Sequence, residues 1–299
     1  MRRLVPALLL VAAALAGCSD EASPAPAPAP AETTGSPTGA PTQYDQYVAI
    51  GDSYTAAPLV PPTDATTICL RSERNYPALL AAAMPGTELT DVSCSGARTR
   101  NVIEPQTGAT GSVPPQLEAV TARTDLVTIG LGGNDDSLFA GTLGRCMKLG
   151  GTDPDGSPCT DHYRGTSTVR DALVDIRGNV AAVVAAVHAK APDARIVVVG
   201  YPQIIPASGS CDDLPLATGD YDLARRINHG LASAVGAGAQ LAGVEFLDLW
   251  TPSEDHDICA EEPWINGRVT SAQVALAYHP MAIEQQEVAR LLMHLLASD

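Results

Sequence analysis

The chain has 299 residues, and its 34 acidic against 18 basic side chains give a formal charge of −16. So acidic a surface repels phosphate backbones, which counts against a nucleic-acid partner and favours neutral or cationic substrates over polyanions. The seven cysteines suggest an oxidising compartment, and the low aromatic content of 4% mildly disfavours sugar-stacking platforms.

The chain opens like an export signal. Arg2 and Arg3 form a positive start, and the apolar stretch over 4–16 is too short to cross a bilayer as a mature helix. It ends in Leu15-Ala16-Gly17-Cys18, small residues before a cysteine that resemble the bacterial lipobox. That resemblance implies acylation of the Cys18 thiol and an anchor that lies on a membrane without spanning it. Residues 18–43 follow as a tether rich in Pro, Ala, Thr, Ser and Gly, with Ala-Pro alternating over 25–30. Such a stretch has little to bury, and repeated proline keeps it extended. Residues 44–299 form the body, long enough for one domain.

Setting Cys18 aside leaves Cys69, Cys94, Cys146, Cys159, Cys211 and Cys259. An even set in an exported chain is expected to be oxidised, and six cysteines allow about fifteen pairings. None shows a CxxC spacing, which counts against zinc. No metal or organic cofactor is expected.

Along the body, short aliphatic runs predict strands over 47–50, 88–92, 126–131, 195–199 and 244–247. Helical patterns are expected over 76–84, 221–241 and 281–296. The clearest helix places Val169, Leu173, Ile176, Val180, Val183, Val184 and Val187 on one face. Strand alternating with helix predicts an α/β fold: a three-layer sandwich with a central parallel sheet of about five strands, covered on both faces. Reactive groups in such sheets collect past the carboxyl ends of the strands. Residues 141–168, 208–220 and 251–268 are expected as loops fastened by disulfides. The run Asp153-Pro154-Asp155-Gly156 reads as a plain turn.

Three short blocks carry the chemistry. Gly51-Asp52-Ser53-Tyr54 follows the first strand, Gly132-Gly133-Asn134-Asp135 follows the third, and Tyr278-His279-Pro280 lies near the end. Together they supply a hydroxyl, an amide donor and a base, the set that acyl transfer to water requires. The first block differs from the Gly-x-Ser-x-Gly elbow of the α/β-hydrolases. With Cys94-Ser95-Gly96-Ala97 between the first two, the set resembles the SGNH, or GDSL-type, hydrolase family, with its flavodoxin-like layering, and in particular its actinobacterial secreted esterases and lipases.

That resemblance implies Ser53 as nucleophile and His279 as general base and then acid. It also implies an oxyanion hole built from the Ser53 and Gly96 N–H groups and the Asn134 amide. Most relatives place an aspartate three residues before the histidine; here that position is Leu276. Some members of the subgroup use a main-chain carbonyl instead, which assigns the orienting role to the Leu276 carbonyl. An upstream carboxylate, Asp248, Asp255 or Asp257, is the alternative. The subgroup's disulfides pair in sequence order, implying Cys69–Cys94, Cys146–Cys159 and Cys211–Cys259.

Other residues have simpler readings. His188, His229 and His294 belong to helix faces, and His256 belongs to a loop of solvated charges. Asp52 braces its turn, and Trp250 and Trp264 either anchor loops or line an acyl pocket. The reading is a monomeric, lipid-anchored, extracytoplasmic serine esterase or lipase acting on small-molecule or lipid esters. Its alternatives are a carbohydrate acetylesterase of the same fold and a binding lipoprotein without catalysis.

Overall fold

Alternate residues of a strand point to opposite faces of its sheet, and β1 (Gln46–Gly51) is apolar on both. In the computed structural model, which describes residues 43–298, Val48 and Ile50 enter one buried cluster while Tyr47 and Ala49 enter another. The export signal, Cys18 and the tether up to residue 42 lie outside the described residues. After β1 the chain runs through α1 (Ser53–Ala56), α2 (Tyr76–Ala83), β2 (Glu88–Asp91), a small hairpin of β3 (Gln106–Gly108) and β4 (Gly111–Val113), and β5 (Leu126–Gly130). Next come α3 (Leu138–Gly150), α4 (Pro158–Tyr163), α5 (Thr168–Lys190), β6 (Arg195–Val199), α6 (Tyr221–Ala242), β7 (Glu245–Leu247) and α7 (Ala282–Leu296).

Five strands form one parallel sheet in the order β2-β1-β5-β6-β7. On one face Val48, Val127, Ile129 and Val198 pack against Ile176 and Val180 of α5 and Leu231 and Val235 of α6. On the other, Tyr47, Leu126 and Val197 pack against Leu80 of α2 and Val288 and Leu292 of α7. The three-layer α/β/α sandwich with five parallel strands is therefore present as the sequence predicts. Burial of the large aliphatic side chains, worth about 1.5–3 kcal/mol each, holds the layers together.

Residues 141–168 depart from expectation. Most of that stretch is helical, in all but the first three residues of α3, in α4 and at the start of α5. Glycine and threonine dilute its pattern in sequence, but Leu138, Thr142, Leu143, Cys146 and Gly150 recur at three- and four-residue spacing and bury one face of α3. Tertiary packing overrides weak propensity here. Around the turn, the Thr218 N–H donates to the Pro154 carbonyl at 2.9 Å, so the 153–156 run is a structural bend.

The three disulfides join Cys69 to Cys94, Cys146 to Cys159 and Cys211 to Cys259. The first ties the segment after α1 to the loop after β2. The second ties α3 to α4.

Candidate active site

β1 and β5 lie side by side with Gly51 opposite Gly130, so the loops that follow them emerge together. The Asp52 N–H donates to the Gly130 carbonyl at 2.9 Å and ends the pairing. The chain then turns at once into α1. A Cβ on Gly51 would sit 2.2 Å from Thr55 Oγ1, so only glycine lets the helix fold back this tightly. Asp52 caps α1 by accepting from the Tyr54 N–H at 2.8 Å. Ser53, the first residue of the helix, is left facing a cavity beyond the strand ends.

His279 reaches the same place from the far end of the chain. Its Nε2 lies 2.9 Å from Ser53 Oγ. Its loop is stapled by Asn266, whose side-chain amide donates to the Ala275 carbonyl at 2.8 Å and the Leu276 carbonyl at 3.2 Å. The Asn266 N–H also donates to the His279 carbonyl at 2.9 Å. Tyr278 sits in the left-handed region at φ 62°, and its carbonyl accepts from the Tyr54 hydroxyl at 2.9 Å. A non-glycine residue held there marks a backbone constrained by its surroundings.

The acceptor behind the imidazole is a backbone carbonyl, but not the one expected. Nδ1 lies 2.8 Å from the carbonyl of Ala277, whereas the Leu276 carbonyl accepts the His279 backbone N–H at 3.2 Å. The left-handed turn at Tyr278 brings the carbonyl two residues back, rather than three, within reach of Nδ1. Asp248 instead caps the Trp250 N–H at 2.8 Å, and Asp257 caps the Cys259 N–H at 2.8 Å. His256 directs Nδ1 to the Glu262 carbonyl and stacks on Trp264. Burial lowers the His279 pKa below its ordinary value, partly offset by the Ala277 carbonyl. The ring is therefore neutral, and able to take a proton, at neutral pH.

Gly96 and Asn134 border the same cavity. Gly96 has φ 76°, a conformation glycine tolerates without strain, and the 69–94 disulfide fixes the chain just before it. The Ser53 and Gly96 N–H groups have no protein acceptor among the described residues. The Asn134 amide donates one hydrogen to the Ala97 carbonyl at 3.0 Å, which orients the group and leaves its second hydrogen for a ligand.

Two residues to which the sequence reading gave no role hold these loops in register. Asp135 accepts from the Thr99 N–H at 2.9 Å and Thr99 hydroxyl at 2.5 Å, joining the Asn134 loop to the Gly96 loop. Tyr201, just past β6, accepts from the Gly133 N–H at 2.9 Å and donates to Asp52 at 2.5 Å. Its signal was positional: a polar residue two places beyond the carboxyl end of a central strand. Burial raises the Asp52 pKa to about 7 against the opposing hydrogen bonds from Tyr201 and Tyr54.

The cavity holds about 320 Å³ and is walled chiefly by apolar side chains, among them Phe139, Leu143, Met147, Ile204 and Leu231. Trp250 and Trp264 are not among its lining residues; Trp250 meets His229, and the buried Trp264 accepts the Met281 N–H through its carbonyl. Among the described residues, no group of three or more His, Cys, Asp or Glu is placed to hold a metal ion.

Residues 49–283 match the model of the GDSL-like Lipase/Acylhydrolase family. Lipase 2 of Streptomyces coelicolor is 38% identical over 261 residues, covering 85% of this chain and 86% of that protein. A lipase of Streptomyces rimosus is 32% identical over 251 residues, covering 82% and 84%. Among solved structures, an extracellular lipase from Streptomyces rimosus superposes with a TM-score of 0.68 at 29% identity, covering 85% of this chain and 99% of that one. Phospholipase A1 from Streptomyces albidoflavus gives 0.68 at 28% identity, covering 85% and 100%. The chain belongs to the GDSL-like lipase/acylhydrolase family and is a carboxylic ester hydrolase of the SGNH type.

Proposed function

We propose that the chain hydrolyses carboxylic esters through an acyl-enzyme on Ser53, with His279 moving the proton. The observation that carries this reading is the 2.9 Å contact between Ser53 Oγ and His279 Nε2 at the edge of an apolar cavity. A serine hydroxyl attacks only when a base takes its proton, and the neutral imidazole is placed to do so. As Oγ bonds to the ester carbon, the proton passes to Nε2. The carbonyl electrons move to oxygen, where the Ser53 and Gly96 N–H groups and the Asn134 amide receive the charge. Collapse expels the alkoxide, which leaves as an alcohol with the proton from Nε2. Water then attacks the acyl carbon and gives a proton to His279; the bond to Oγ breaks, Oγ takes that proton back, and the carboxylic acid leaves.

The Ala277 carbonyl fixes the tautomer with hydrogen on Nδ1 and offers the imidazolium a dipole where most relatives offer a carboxylate. The apolar lining favours an acyl chain over an acetylated sugar, and the relatives' names, lipase and phospholipase A1, agree with that preference. The export signal and Cys18 support an extracytoplasmic lipoprotein, with residues 18–43 as the tether. The body has no need of a partner chain for this chemistry and is proposed to act as a monomer.

Hydrolysis of p-nitrophenyl esters tests the mechanism. Ser53→Ala should reduce turnover by about three to six powers of ten; activity that survives it overturns the nucleophile. Mass spectrometry of the mature N-terminus tests the anchor: a chain that begins elsewhere than an acylated Cys18 overturns it.

A further inference from the structure

Helix α3 contributes five of the residues lining the cavity: Phe139, Ala140, Leu143, Gly144 and Met147. They recur at the spacing of one helix face, so one side of α3 forms a continuous wall along the cavity. The helix is fixed along its buried flank, because Cys146 is bonded to Cys159. One end of the wall is also closed, where the Tyr278 hydroxyl meets Met147 Sδ at 3.2 Å.

Gly144 is the anomaly in this wall. Glycine is a poor helix former, surpassed only by proline, so its place inside a thirteen-residue helix asks for a reason. Elsewhere in α3 packing supplies one. A Cβ on Gly141 would stand 2.8 Å from Ser137 Cβ, and one on Gly150 would stand 2.7 Å from the Ala217 nitrogen. A Cβ on Gly144 would meet nothing within 4 Å. No protein group needs that space, yet the residue is exposed and borders the cavity.

Resting on the ester-hydrolase reading above, we infer that the cavity-facing side of α3 is the wall against which the acyl chain lies. The missing side chain at Gly144 is the gap through which a chain longer than the cavity runs out toward solvent. The favoured substrates are then esters of medium to long fatty acids, with Gly144 and Met147 setting the length preference. A carbonyl held at Ser53 directs a short acyl group only into the enclosed part of the cavity, whereas a long one must pass the gap.

The test compares kcat/KM for p-nitrophenyl acetate, octanoate and palmitate in the full mature chain and in Gly144→Ala, Gly144→Leu and Met147→Ala. Leucine favours the helix more than glycine does, so a loss caused by unfolding is not expected, and circular dichroism checks it. The expected result is a palmitate-to-octanoate ratio at least tenfold lower in Gly144→Leu, a smaller drop in Gly144→Ala, and a rise in Met147→Ala. An active wild-type whose ratio changes less than twofold in folded Gly144→Leu overturns the inference alone. A wild-type inactive on all three esters overturns the ester-hydrolase reading, and the inference with it.

Discussion

The Tyr201 hydroxyl lies 2.5 Å from Asp52 Oδ2 and donates to it, while accepting the Gly133 N–H at 2.9 Å. One buried phenol thus links the residue before Ser53 to the loop that carries Asn134. The Gly51–Tyr54 and Gly132–Asp135 blocks are tied by an oxygen that belongs to neither.

Tyr201→Phe keeps the ring and its edge contact with Tyr54 but removes both hydrogen bonds. Above pH 7, where Asp52 is ionised, bonds to this charged partner are worth about 1.5–3 kcal/mol, which predicts a fall in kcat of about one to two powers of ten. KM for a short ester should change little, because the hydroxyl holds the oxyanion loop and not the chain. Steady-state kinetics on p-nitrophenyl acetate separates the two. A rise in KM with kcat intact would show that Tyr201 serves binding instead.

The acid limb of kcat/KM should report His279. Catalysis needs the neutral ring, and burial lowers the pKa from the ordinary 6.5. Activity is therefore expected to persist as pH falls through 6.5 and to fail only below it. Replacing Met147, which lines the same cavity as His279, by Glu should move the limb upward, since a carboxylate favours the imidazolium. A wild-type midpoint above 6.5 contradicts the burial argument.

Glu284 is buried in the first turn of α7, and loss of hydration pushes its pKa up to about 8, opposed by one hydrogen bond from the Gln285 amide. The folded state therefore holds a proton that the unfolded chain releases near pH 4.5. This contribution to stability is fully present below 4.5 and is lost as pH rises through about 8. Asp52 acts in the same direction over a lower window, ending near pH 7. Glu284→Gln should melt higher than wild-type at pH 9, by roughly 2–4 °C for each kcal/mol of relief in a chain of this size. Thermal melts from pH 5 to 9 check it, and parallel curves for the two proteins would contradict it.

The Cys69–Cys94 bond closes a loop whose ends are 25 residues apart. Chain entropy alone assigns such a loop about 3.5 kcal/mol. The double variant Cys69→Ala with Cys94→Ala should lose stability of that order. It should also lose kcat at temperatures where it is still folded, because Gly96 follows two residues after Cys94. Denaturant melts and activity at 15 °C distinguish the two effects; full activity in the folded variant would show that Gly96 is held by other means.

Much of this site was legible before any coordinates. Ser53, Gly96, Asn134 and His279 carry side-chain types and neighbours that acyl transfer demands, and their blocks follow predicted strands. Strand order in a parallel sheet places such loops at one edge, so local sequence was enough to nominate them. What escaped were residues whose role is to hold others. Tyr201 does nothing distinctive in a one-dimensional reading, since Gly133 and Asp52 lie 68 and 149 positions away, and Asn266 acts on backbone carbonyls that no side-chain motif marks. The wall of the cavity escaped for another reason: α3 has weak helical propensity and becomes a helix because one face can be buried.

Sequence alone determined the chemistry available, because a hydroxyl, an imidazole and an amide keep their reactivity wherever the chain puts them. Periodic burial also determined the layers, since strands apolar on both faces can be satisfied only between helices. The tertiary structure decided which carbonyl meets His279 Nδ1, which side chains wall the cavity and what ties the loops together. Each of these depends on a backbone turn or a contact of a few ångströms, such as the left-handed Tyr278 that puts the Ala277 carbonyl behind the ring. Distances of that kind are set by the packing of the whole body, and no short stretch of residues contains them.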